Sequence, residues 1–237
     1  LIVHGVNDLK AAAYYTIQSA FITAGQRCTC ARRLILVDSA EADGLLDRLQ
    51  GMIPGIRIGY WNDDEEPFAT TVISKTQGRK LLQAQEEMIS AGANPIKHSE
   101  CLRDNDALLS PGLIDVTGLS ERPDEEMFGP ILQVIRVPDF DAAIAEANNS
   151  AYGMSSSLLC DDEKLYRQYI HEIRAGVVNW NRPTTGATGK LPFGGCGISG
   201  NNRPSGYFAT DYCNWPVATL EAKKLEMPDA ISTGIDL

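Results

Sequence analysis

Cys28 lies in Gly25-Gln26-Arg27-Cys28-Thr29-Cys30-Ala31-Arg32-Arg33, with arginines on both sides of it. A thiol attacks as its thiolate, and neighbouring cations stabilise that form. The stretch follows a helix stop at Gly25 and precedes an apolar run, so Cys28 is expected on a connection at the edge of a sheet. Ligand sites of open α/β sheets lie on connections of this kind. A free cysteine is otherwise a small buried hydrophobe, the role that suits Cys30. The usual base beside a nucleophilic cysteine is histidine. Nothing in the spacing sets His4, His98 or His171 against Cys28, so a cysteine hydrolase is a poor reading. No second cysteine or histidine pair completes a tetrahedral set around Cys28 and Cys30, and no metal site is expected.

The segments that must position this thiol alternate between strand-like and helix-like patterns. Residues 1–3 form a short apolar strand, and Asn7-Asp8 can cap a helix over residues 9–23 that stops at Gly25. Arg33–Val37 reads as a strand, residues 39–50 as a helix, and residues 74–92 as another. Ile131–Val137 is a continuous apolar strand, followed by a helix over residues 139–148, a small-residue strand at Ser155–Leu159, a helix over residues 163–173 and a strand over residues 176–180. Apolar strands alternating with amphipathic helices indicate an α/β fold with a mainly parallel sheet and helices on both faces. Residues 183–200 form a glycine-rich loop, and residues 217–222 a last strand before a loose end.

With 21 Lys+Arg against 31 Asp+Glu the net charge is −10, and no basic block is present. Nucleic acid and anionic membranes are therefore excluded as main partners. No apolar run approaches the ~20 residues of a membrane span. Six cysteines in a chain with a sizeable core fit reduced thiols in the cytoplasm. Leu1-Ile2-Val3-His4 reads as a strand already under way, so the chain is expected to belong to something longer.

Four motifs carry a resemblance. Phe21-Ile22-Thr23-Ala24-Gly25-Gln26-Arg27-Cys28 resembles the catalytic-cysteine signature of the aldehyde dehydrogenase superfamily. Glu125-Glu126-Met127-Phe128-Gly129-Pro130 is similar to its E-E-x-F-G-P element, and Asn148-Asn149-Ser150-Ala151-Tyr152-Gly153 to its N-x-x-Y-G segment. Pro192-Phe193-Gly194-Gly195, followed by Ser199-Gly200, matches its P-F-G-G turn. The stretches GQRCTCARR, NWNRPTT, GNNRPS and DYCNWP look closest to a bacterial branch in arginine catabolism whose aldehyde carries two carboxylates.

The resemblance implies Cys28 as nucleophile, with its backbone N–H as one oxyanion donor. It implies Glu126 on a ribose of NAD or NADP and Phe128 near the nicotinamide. The loop at residues 181–188 and Phe193 would line the substrate tunnel. Arg27 and Arg182 would receive carboxylates, with Thr184 and Thr185 adding neutral donors. It implies a catalytic domain over residues 1–214, and an oligomerisation strand and tail over residues 215–237 that builds a homodimer or tetramer. The family's general base, carried in E-L-G-G, is not among the 27 residues before Cys28. No G-x-G-x-x-G is expected, so the cofactor would be bound mainly by an upstream domain absent from this sequence. The opposing reading is an oligomerising module without turnover of its own.

Overall fold

Apolar runs that cannot face water on either side must be covered twice. The computed structural model describes residues 1–235. Its strands are β1 (Ile2–Val3), β2 (Arg33–Val37), β3 (Asn94–Lys97), β4 (Cys101–Leu102), β5 (Asn105–Leu109), β6 (Gly112–Asp115), β7 (Ile131–Val137), β8 (Ser155–Leu159), β9 (Val177–Trp180), β10 (Pro192–Phe193) and β11 (Ser205–Gly206). Its helices are α1 (Leu9–Phe21), α2 (Ala40–Met52), α3 (Lys75–Ser90), α4 (Phe140–Asn148), α5 (Glu163–Glu172) and α6 (Ala209–Cys213). Seven strands make one sheet in the order β3-β6-β7-β2-β1-β8-β9. All are parallel except β3, which runs antiparallel to β6 at one edge. This is the expected α/β class.

Side chains alternate across each strand and so sort into two cores. In β2, Ile35 and Val37 join Leu81 of α3, Ile144 of α4 and Tyr169 of α5. Leu34 and Leu36 join Ala13 and Ile17 of α1 and Leu45 and Leu49 of α2 on the other face. Burying each such side chain contributes about 1.5–3 kcal/mol. Side-chain oxygens of Asp8, Ser39, Ser74, Asp139 and Asp162 accept first-turn N–H bonds and fix where α1 to α5 begin.

Three expectations are corrected. The first helix ends at Phe21 rather than residue 23, because Thr23 (φ 55°) and Ala24 (φ 53°) turn left-handed ahead of Gly25 (φ 69°). Strands β3 to β6 were not expected; they are short, interrupted by Pro95 and Gly112, and show no clear alternation. Residues 217–222, expected as a strand, join no ladder, and Val217 (74%) and Leu220 (105%) stand exposed. A strand needs a neighbour, and none is offered among the described residues. The last two residues of the expected tail lie outside the described ones. Among the described residues no helix is long and apolar enough to cross a membrane.

Tyr169 is fully buried, and its hydroxyl donates to Ser156 Oγ at 2.6 Å. Burial disfavours the phenolate and pushes the Tyr169 hydroxyl well above its ordinary range. The unfolded chain releases this proton near pH ~10. The native state holds it more tightly, so this stability is complete below pH ~10 and declines as pH rises past it. Tyr169→Phe should cost about 1 kcal/mol at neutral pH and flatten the alkaline decline. Thermal melts between pH 7 and 11.5 measure both; an unchanged alkaline limb would assign the decline to other groups.

Candidate active site

The parallel strands all begin at one edge of the sheet, and the motifs gather there. Cys28 sits in the turn before β2, Gly129 and Pro130 precede β7, Gly153 precedes β8 and Gly176 precedes β9. A cleft of about 170 Å³ opens among them, lined by Cys28, Arg32, Glu126, Tyr152, Arg174 and Ser199 together with neighbouring backbone. Open α/β sheets usually bind ligands beyond the carboxyl ends of their strands. Here the site is at the amino ends, so that general rule located the right kind of connection at the wrong end.

Cys28 is exposed at the head of a turn that Cys30 N–H closes on the Arg27 carbonyl at 3.0 Å. Its own N–H donates to no group among the described residues. Side chains hold the turn in place. Gln26 Nε2 donates to the Thr71 carbonyl at 3.2 Å, and Gln26 Oε1 accepts from Ile73 N–H at 2.7 Å. Ser155 Oγ of β8 donates to the Thr29 carbonyl at 3.1 Å. Arg32 donates to the carbonyls of Gly25 (2.6 Å) and Arg27 (3.0 Å). A Cβ on Gly25 would clash with the Gly129 carbonyl oxygen, and its φ is positive, so only glycine lets these two segments touch.

Cys30 is buried as expected, and its Sγ lies 3.7 Å from the Ile22 carbonyl. Loss of solvation pushes the Cys30 thiol up, against weaker opposing effects from the Arg27 backbone, Arg32 and Arg27. Burial pushes the Cys160 thiol up in the same way.

Glu126 and Phe128 reach the turn through Arg32. Its Nη2 lies 3.3 Å from Glu126 Oε1, and its guanidinium sits 4.7 Å from the centre of the Phe128 ring. Arg33 points to the end of α4, donating to the carbonyls of Glu146 (2.9 Å) and Ala147 (3.1 Å) and to Glu146 Oε1 at 3.1 Å. A cation at a helix C-terminus is favourable. Arg122 takes the other Glu146 oxygen at 2.9 Å. Asn148 binds the Glu172 carbonyl and Arg174 N–H, while Asp124 accepts from Ser150 and Ala151. The motif around Asn148 thus works as a framework. Of these, Arg32 was anticipated only as a cation beside Cys28, and Gln26, Ser155 and Asp124 not at all. The doubled arginine at Arg32-Arg33 in an acidic chain was the available signal for the first.

The substrate-side candidates lie elsewhere. Arg27 is exposed, and its Nε donates to Thr23 Oγ1 at 2.9 Å. Arg182 follows β9 and reaches Tyr15 Oη of α1 at 3.5 Å. Thr184 is 1% exposed and packed against α1, with its N–H on Ser19 Oγ at 3.1 Å and its Oγ1 without a partner among the described residues. Thr185 is half-buried in the same loop, and Phe193 pairs with Ser205 in the small ladder of β10 and β11. None of these residues lines the cleft. Gly195-Cys196-Gly197-Ile198-Ser199-Gly200 does spell G-x-G-x-x-G, contrary to expectation. It runs as a loop with one 3-10 turn at Gly197–Ser199 and leads into no α-helix, so it lacks the strand-to-helix setting of a dinucleotide cradle. It docks instead on Gly153, whose carbonyl accepts from Cys196 N–H at 3.1 Å. No histidine lines the cleft; His4 stacks on Phe140 beyond the opposite ends of the strands. Among the described residues no group of three or more His, Cys, Asp or Glu could hold a metal ion.

An exposed cysteine on a braced turn before a parallel strand, facing an E-E-x-F-G-P element, defines a class of protein. Residues 1–217 match the aldehyde dehydrogenase family, and the chain belongs to it. It is 48% identical over 237 residues to the N-succinylglutamate 5-semialdehyde dehydrogenase of Ectopseudomonas mendocina (strain ymp), matching 100% of this chain and 49% of that protein. The chain therefore spans about half the length of this curated relative. Among solved structures, 1-pyrroline-5-carboxylate dehydrogenase from Thermus with bound NAD superimposes with TM-score 0.75 at 30% identity, over 88% of this chain and 40% of that one. The NAD-dependent aldehyde dehydrogenase of Sinorhizobium meliloti gives 0.80 at 27%, over 89% and 41%. The NADP-dependent glyceraldehyde-3-phosphate dehydrogenase of Bacillus halodurans C-125, complexed with NADP, gives 0.77 at 30%, over 87% and 42%.

Cys28, Cys101 and Cys213 are exposed, whereas Cys30 and Cys160 are buried. Timed alkylation with peptide mapping at neutral pH should label Cys28 first and Cys30 and Cys160 last. Earlier labelling of Cys101 or Cys213 would count against Cys28 as the activated thiol.

Proposed function

We propose that this chain supplies the nucleophile of an NAD(P)-dependent enzyme that oxidises N-succinyl-L-glutamate 5-semialdehyde to N-succinyl-L-glutamate in arginine catabolism. The observation that carries the reading is the exposed Cys28 thiol, with its unpartnered N–H, opening on the same cleft as Glu126. The 48% identity to a named N-succinylglutamate 5-semialdehyde dehydrogenase supports the choice of substrate.

The Cys28 thiolate adds to the aldehyde carbon, and charge grows on the former carbonyl oxygen. The Cys28 N–H donates to that oxygen; an oxyanion donor of this kind is typically worth about 2.7–4 kcal/mol. NAD(P), when bound, supplies a hydride acceptor. Loss of hydride from the adduct leaves a thioester on Cys28, which water hydrolyses to the acid and the free thiol. Glu126 Oε2 has no protein partner among the described residues and suits a ribose hydroxyl, while the half-exposed Phe128 offers a ring face. Arg27 and Arg182, both exposed, are the cations for the substrate's carboxylates. The base for thioester hydrolysis and the rest of the cofactor site are assigned to the half of the relative that this chain does not match. Six free thiols fit a reducing cytoplasm.

The exposed Trp215 (87%), Leu220 (105%) and Leu225 (103%) favour a homo-oligomer assembled through the tail. Light scattering should give a dimer or tetramer that dissociates when residues after Trp215 are removed. A monomer unaffected by the deletion would sink this part of the reading.

NADH production at 340 nm tests the activity. The chain alone should give none, since proximity of a bound cofactor contributes roughly 7–11 kcal/mol and general base catalysis about 10²–10⁴-fold. The chain fused behind the amino-terminal half of the Ectopseudomonas mendocina relative should turn over, and Cys28→Ala should abolish it. In the fused protein, Arg27→Ala or Arg182→Ala should raise KM for the dicarboxylate aldehyde about ten- to a hundredfold more than for a neutral aldehyde. Equal effects on both aldehydes would remove that arginine from carboxylate recognition.

A further inference from the structure

One guanidinium touches both halves of the site. Arg32 Nη1 donates to the Gly25 carbonyl at 2.6 Å and Nη2 to the Arg27 carbonyl at 3.0 Å, so it grips the turn ahead of Cys28. The same Nη2 lies 3.3 Å from Glu126 Oε1, and the guanidinium lies over the Phe128 ring. The Arg32 and Glu126 side chains are only 13% and 25% exposed. Arg32 Nε is buried with no partner, so the guanidinium is oriented by its two tips alone. Losing any acceptor leaves that orientation underdetermined. Arg33, its neighbour, is occupied by the end of α4 and has no part in this contact.

We propose that Arg32 is a positioning residue that couples Glu126 to the Cys28 turn, so that the state of the Glu126 carboxylate sets the presentation of the thiol. The inference rests on Cys28 as nucleophile and Glu126 as a cofactor contact. Under it, a ligand that engages Glu126 and the thiol that attacks the aldehyde are linked through a single planar group. Lysine keeps the charge but cannot span two carbonyls and a carboxylate in one plane.

The test is the rate of Cys28 carbamidomethylation by iodoacetamide at fixed pH, read by peptide mapping, with Cys101 and Cys213 in the same sample as references. The proteins are the chain and its Arg32→Lys, Glu126→Gln and doubly substituted variants. Arg32→Lys should slow Cys28 at least about fivefold while both references keep their rates. Glu126→Gln should slow it less, and should add nothing in the Arg32→Lys background. Wild-type rates in Arg32→Lys would overturn the proposal, because charge alone would then suffice. Independent, multiplying effects of the two substitutions would overturn it as well. General loosening is recognised by faster labelling of buried Cys30 and a lowered melting temperature, and slowing seen only with those signs also counts against coupling. The experiment needs neither NAD nor aldehyde. Failure of the aldehyde dehydrogenase reading therefore shows separately, as absent turnover in the fused protein.

Discussion

An exposed cysteine on an irregular turn poses a constraint that the surrounding architecture has to meet. Such a turn has no ladder of its own, yet its carbonyls lie against a packed sheet and need donors. Here side chains provide them: Arg32 for Gly25 and Arg27, and Ser155 for Thr29. Gln26 replaces a strand neighbour, accepting from Ile73 and donating to the Thr71 carbonyl as a backbone would. The left-handed run at Thr23 and Ala24 is the local cost, about 1–3 kcal/mol for each non-glycine residue. It persists because α1 and β2, buried on either side, leave the connection few alternatives.

The amino edge of the sheet suits this arrangement. Each parallel strand enters there from a helix or loop, so the connections before β2, β7, β8 and β9 converge although they are distant in sequence. Glycine allows them to touch: Gly25 meets the Gly129 carbonyl, and Gly176 meets that of Gly194. The edge is then tied laterally by Asp124 to Ser150 and Ala151, and by Asn148 to α5. Displacement of any one connection would be passed to the others through carbonyl contacts that cannot compress.

Much of this was legible in the sequence where the signal was local. Capping residues and apolar periodicity locate α1 to α5, because a helix start is written within four residues. Strands β2 and β7 are legible as apolar runs and β8 as a run of small residues, all largely buried. The segment from β3 to β6 was not, since its strands take their definition from neighbours rather than from their own pattern. The same distinction divides the site. Cys28 and Glu126 stand in short motifs, whereas the bond from Arg32 to Glu126 spans 94 positions and has no local signature. The burial of Thr184 was not legible for a related reason: a hydroxyl in a polar loop looks exposed until the loop is seen folded onto Ser19 of α1.

The two cores also divide the charged groups around the Cys28 turn. The cleft holding Glu126 is bounded by Glu146 and Ala147 of α4 and by Ile173 after α5, on the face of the core built by α3, α4 and α5. Arg27 and Arg182 lean instead on Thr23, beyond the end of α1, and on Tyr15 of α1, the helix that packs against the opposite core. The Cys28 turn lies between the two faces. Charge near the cleft is largely internally paired, Arg32 with Glu126 and both Arg33 and Arg122 with Glu146. Arg174, which also lines the cleft, has no carboxylate partner among the described residues. Among the described residues neither Arg27 nor Arg182 is held by a carboxylate, so an anionic ligand can be met there without breaking a described pair. In a chain of net charge −10, uncommitted cations thus stand on both sides of the Cys28 turn, Arg27 and Arg182 towards α1 and Arg174 in the cleft.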